Sequence, residues 1–178
     1  PIKAVYFLPA LVTVVIIRLI RPIFLIRFQP FINWRLGHFS GNVELYLCEL
    51  ESGINKPEKN FFDIWFHPSC EPCNFQLALM WSRVLPIGPS TFFGLIDIIN
   101  NAIPGGGPHK IGEPTMVDRD VHNLFEKFPP HLSFLPDEER LGQIGLRSIG
   151  IPDGKSFICL AIRDSAYLND QSPHLDWS

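Results

Sequence analysis

Short apolar runs of strand character alternate with stretches of helical spacing along most of the chain. Residues 22–28 (PIFLIRF) predict a strand, with Pro22 tolerable at its first position. A loop with Pro30, Asn33 and Gly37 follows. Over residues 40–50 the apolar positions Val43, Leu45, Leu47, Cys48 and Leu50 are interspersed with acids, which predicts a helix capped by Ser40 or Asn42 and ended by Gly53. The phrase then recurs: FFDIWF (61–66) predicts a second strand and residues 74–84 a second helix capped by Asn74. Residues 91–102 predict a third, broadly apolar helix, and residues 103–117 an irregular Pro- and Gly-rich loop in which Gly105, Gly106 and Gly107 form a hinge. A short helix over 118–128, capped by Asp118, stops at Pro129 and Pro130. Another covers 137–149, with acids in its first turn and Arg147 in its last, the arrangement that suits a helix dipole. Residues 156–162 (SFICLAI) close the series as an apolar strand. Strands alternating with helices imply an α/β fold with a largely parallel sheet.

The opening segment stands apart from this alternation. Residues 4–17 are 14 positions without a charge, short of the roughly 20 that a helical bilayer span needs. Two readings follow: a buried helix or strand of the domain, or a membrane element, either a span truncated at its start or an in-plane anchor. Charge sharpens the second. Residues 1–36 hold Lys3, Arg18, Arg21, Arg27 and Arg35 and no acid, a local +5, while the rest carries 10 bases against 18 acids, or -8. Bases interleaved with aliphatics suit an anionic lipid surface and not nucleic acid. With 178 residues, 46% of them hydrophobic and 19% charged, the chain can bury one full core. It begins with Pro1 and ends at HLDWS, which reads as a fragment of a longer protein.

Parallel α/β sheets bind ligands beyond the carboxyl ends of their strands. Two such places carry polar groups. After the first strand, Gly37 and Gly41 permit close backbone approach, and Arg35, His38 and Asn42 can contact a phosphate or a sugar hydroxyl. After the last, Arg163 can grip a pyrophosphate with two N–H groups, Asp164 can hold that guanidinium, and Tyr167 can stack on a base or sugar. His67, closing the second strand, is a lesser candidate. The chain contains no GxSxG, Walker or HExxH motif. Four cysteines, including one CxxC at Cys70 and Cys73, match neither a disulfide framework nor a metal motif, and the expectation is that no metal or cofactor is bound.

The ordered set IRF, RLGHFSGNVELYLCELESGI, FFDIWFHPS, CNFQLALMWSRVLPI, DVHNLF, LSFLPDEERLGQIGLRSIGIPDGKSFICLAIRDSAYL and DWS resembles a family of bacterial glycosyltransferases found in surface-polysaccharide and lipopolysaccharide gene clusters. The resemblance spans residues 22–178. It implies a Rossmann-like N-terminal domain over 22–150, the first half of a two-domain GT-B architecture, with 1–21 as a basic apolar leader and 151–178 opening the C-terminal, donor-binding domain. Its implied partners are a nucleotide sugar and a glycan or lipid-linked acceptor, with the protein cytoplasmic or at the cytoplasmic face of the inner membrane. Arg163, Asp164 and Tyr167 then fall on the donor side; Arg35, Gly37 and Asn42 fall on the acceptor side, with His38 as general base. The chain departs from the family in Ala161, where members carry a polar residue. That departure leaves room for the alternative of a membrane-attached scaffold or degenerate transferase without activity.

Overall fold

The computed structural model describes residues 2–54, 56–68, 71–112 and 120–160. Two compact units make up the chain, Pro1–Ser133 and Phe134–Ser178.

The first unit is built around a parallel pair of strands, β1 (Leu25–Pro30) and β2 (Phe61–Phe66), in the register Leu25 to Phe61 through Pro30 to Phe66. Single bridges extend each edge, Lys110 beside Phe28 and Ile87 beside Trp65, both parallel. Between the strands runs α2 (Leu36–Ser52), ended by Gly53 at φ 81°, a left-handed conformation that glycine adopts without steric cost. The expected N-caps do not cap it: α2 starts a turn earlier, with Arg35 at the N-cap, and the Ser40 hydroxyl instead donates to the carbonyl of Leu36. Asn74 does cap α3 (Phe75–Val84), accepting from the Leu77 amide at 2.9 Å.

Strand alternation sends residues to two faces, and each face meets its own pair of helices. Phe28 and Phe66, with Ile26 and Ile64, pack on α1 (Ile2–Ile20) and α4 (Ser90–Ala102). Phe31 and Trp65 pack with Phe39 and Val43 of α2 and Leu77 and Trp81 of α3. A sheet between two helical layers is an α/β fold, as the alternation predicts, although the described strands number two.

The opening segment is part of this core. Ala10, Val14 and Ile17 recur at helical spacing on one face of α1 and are buried against Ile96 and Ile99. Arg18, one of the five bases of the opening segment, folds onto the far end of α4, where it donates to the carbonyls of Asn100, Ile103 and Pro104, each at 2.9 Å. It thereby satisfies carbonyls that the end of a helix leaves without partners. Among the described residues no helix is long and apolar enough to cross a membrane. In the glycine run, Gly105 has φ 86° and is exposed, while Gly106 is buried, where a Cβ would lie 2.4 Å from the Asn100 carbonyl.

Two expected elements change on folding. The helix near residue 120 shrinks to α5 (Leu124–Lys127), whose first amides are bound by the Asp120 carboxylate. In the second unit, α6 (Pro136–Ser148) forms as expected, and Arg147 pairs with Asp153 instead of the helix's own carbonyls. Residues 156–160, expected to begin a strand, have no regular structure, and Ile158 is 94% exposed. An apolar run becomes a strand only beside a partner that takes its hydrogen bonds, and no described strand pairs with it.

Candidate functional site

The carboxyl ends of β1 and β2 lie side by side, so whatever follows each strand meets its counterpart. Phe31 continues β1, its amide donating to the Phe66 carbonyl at 2.9 Å. Asn33 comes next and is fully buried, with its carbonyl accepting from the Cys73 amide at 2.8 Å. Beyond β2 stands His67. Its Nδ1 is 3.4 Å from the Asn33 side-chain nitrogen, and its ring lies 4.8 Å from that of Phe31 and 6.0 Å from that of Phe39. Burial pushes the His67 pKa below the ordinary histidine value. The imidazole is therefore neutral at pH 7, with two aromatic rings and an amide fixing its plane.

The first turn of α2 borders the same strand ends. His38 is half-buried, with Nδ1 3.5 Å from the Asn42 side-chain nitrogen one turn along. Arg35 and Gly37 are exposed. A Cβ at Gly37 or Gly41 would meet nothing within 4 Å, which leaves open space over the helix start. Of the acceptor-side residues the sequence singles out, the structure thus brings His38 and Asn42 together and leaves Arg35 and Gly37 facing solvent. Arg163, Asp164 and Tyr167 lie outside the described residues.

A second polar group lies deeper on the same face of the sheet. Arg27 and Asp63 are register partners, and their side chains form a two-pronged ion pair with N–O distances of 2.7 and 2.5 Å. The Arg27 guanidinium also sits 4.9 Å over the Phe61 ring. Tyr46, reaching down from α2, donates its hydroxyl to Asp63 at 2.5 Å. Burial, then the hydrogen bond to Asp63 and that carboxylate's charge, push the Tyr46 pKa far up, so the phenol stays protonated. Each charge here is matched by a hydrogen-bonding partner and sealed from water, an arrangement that holds structure and offers a ligand no open valence.

This triad is not among the residues the sequence singles out, and His67 is only a lesser candidate there. A signal existed in both cases. One base and one acid of opposite sign interrupt LIRF and FFDIWF at matching places in two otherwise apolar strands, and a charge inside such a strand calls for a buried partner. His67 lies one residue past the second strand, where the parallel arrangement gathers ligands. Comparison with known protein families, with curated proteins and with solved structures finds no match.

Proposed function

We propose that the chain is the acceptor-side portion and domain junction of a bacterial glycosyltransferase of GT-B type, moving a sugar from a nucleotide donor to a surface glycan. The observation that carries this reading is the pairing of His67 with Asn33 at adjoining carboxyl ends of parallel strands, beside the His38 and Asn42 helix start. It joins the resemblance over residues 22–178 to a place where α/β sheets bind ligands. In the reaction an acceptor hydroxyl attacks the anomeric carbon, the bond from that carbon to the nucleoside diphosphate breaks, and the electron pair leaves with the diphosphate. The hydroxyl proton needs a neutral base, and burial holds His67 in that form. We assign it that role, with His38 as the rival and Asn42 and Arg35 as acceptor contacts. Arg163, oriented by Asp164, neutralises the departing diphosphate, with Tyr167 lining the donor pocket.

The outer face of α1 supports an anionic membrane surface as a partner. Val5, Leu8, Val12, Ile16 and Leu19 lie exposed along one side, and Ile23 follows them. Of the five bases in residues 1–36, Arg18 and Arg27 are engaged inside the fold, so the attraction rests more on apolar contact than the sequence charge suggests. The same face favours a non-catalytic scaffold as the second reading. Release of nucleoside diphosphate by the full-length protein from a panel of nucleotide sugars, in the presence of bacterial surface-glycan acceptor, separates the two. Transferase activity that falls in Arg163→Ala and His67→Ala supports catalysis, and no release with any donor supports the scaffold.

A further inference from the structure

Away from the strand ends, α2 turns a second polar face toward the segment that follows α5. Glu44, Cys48 and Glu51 fall at i, i+4 and i+7 on that helix and so share one side. Opposite them the chain leaves Phe128, passes Pro129 and Pro130, and presents His131. This histidine is held at three points: its backbone amide donates to Glu44 Oε1 at 3.0 Å, its Nδ1 faces the same oxygen at 3.0 Å, and its Nε2 lies 3.3 Å from Glu51 Oε1. Leu132, next in the chain, packs into the core against α2 and α3, which fixes the depth at which the ring enters.

We propose that Glu44, Cys48 and His131 bind a single transition-metal ion of borderline softness, zinc(II) being the best fit, with Glu51 orienting the imidazole. One ligand atom from each of the three residues lies within 4.8 Å of the others. Zinc holds sulfur, nitrogen and oxygen at about 2.0–2.3 Å, which sets tetrahedral donors about 3.3–3.8 Å apart, so a rotamer adjustment of about 1 Å closes the set. The position between Nδ1 and Glu44 Oε1, taken by a proton in the hydrogen-bonded form, becomes a metal position. Nε2–H then donates to Glu51, the carboxylate–histidine–metal relay that holds a ligand ring in place and makes it more basic.

Cys48 is 1% exposed, and a bound dication would stabilise its thiolate, releasing one proton to solvent. Thiolate and imidazole together disfavour magnesium and calcium, which take all-oxygen shells. Three protein ligands leave a fourth position for water on the side of Glu51, which is half exposed.

The test is titration of the intact chain with cobalt(II), a spectroscopic stand-in for zinc, followed by competition with zinc. One equivalent per chain, with a thiolate-to-cobalt charge-transfer band and the intense visible bands of a tetrahedral site, is the expected result. Cys48→Ser should abolish the charge-transfer band. Glu51→Gln, which touches an exposed side chain and leaves the three ligands, should weaken binding by about 10- to 100-fold. A Cys70→Ser/Cys73→Ser variant should bind as the parent does. Failure to bind cobalt, binding without the charge-transfer band, unchanged affinity in Glu51→Gln, or loss of binding in the Cys70/Cys73 variant would each overturn the proposal. The last outcome would move the metal to the CxxC pair, and the first would leave a proton-mediated Glu–His contact.

Discussion

One face of one small sheet holds two polar regions of opposite character. At mid-strand, Arg27 and Asp63 are buried and paired with each other, and the half-buried Tyr46 donates to the same carboxylate. A few residues further along, where the strands end, Asn33 and His67 meet at the looser distance of 3.4 Å, and the histidine is only half-buried. Both regions arise from the same register. Pairing of residue 27 with 63 puts the charges in contact, and continuing those strands by a few residues delivers Asn33 and His67 to neighbouring positions. The difference lies in where water stops. Charge enclosed by Phe61, Trp65 and α2 must be satisfied by protein and is then inert, whereas His67, half-buried beyond the last backbone pair, keeps one side toward solvent with the fully buried Asn33 behind it.

The largest expected effect tests the sealed region. Asp63→Ala leaves the Arg27 guanidinium buried without its anion and should cost about 3–5 kcal/mol in chemical denaturation. Replacing both partners at once, Arg27→Met with Asp63→Leu, should recover most of that loss, because the cost lies in a stranded charge and not in the absence of the pair. Tyr46→Phe removes one hydrogen bond to a charged acceptor and should cost about 1.5–3 kcal/mol.

A smaller effect depends on pH. His67 and His109 both have pKa values lowered, chiefly by burial. His109 is fully buried, with Nδ1 2.7 Å from the Ile26 carbonyl, which leaves the proton on that nitrogen. Because the unfolded chain takes up protons at these sites at higher pH than the folded one, their contribution is complete above the unfolded value of about 6.5. It is lost as pH falls below that value toward the folded pKa. Denaturation midpoints should therefore decline over that acid window, and His109→Gln and His67→Gln should each flatten the decline. The smallest effect belongs to the open region: His67→Gln at pH 7 should change stability by less than about 1 kcal/mol.

Most elements were legible because local signals and packing agreed. The predicted strand over 61–66 matches β2 to the residue, and Asn74 and Gly53 act as the punctuation their residue types predict. Legibility failed where partners decide. The run 156–160 has strand composition and no described strand beside it, and the apolar stripe of α1 reads equally as lipid-facing until Ile96 and Ile99 are seen to cover one side. For the candidate site, sequence singled out the segment after β1 but put His38 in a loop; only the earlier start of α2 sets His38 and Asn42 one helical turn apart. Spacing could not place His67 against Asn33, which are 34 positions apart in sequence and meet only through strand register.

The central claim is that the open strand ends carry chemistry while the sealed triad beneath them carries structure. It is tested most directly by measuring nucleoside diphosphate release for His67→Gln beside its denaturation curve. The account predicts a loss of about 10²- to 10⁴-fold in turnover, the usual contribution of a general base, with stability nearly unchanged. Parent-level turnover in a variant that folds as well as the parent would contradict it.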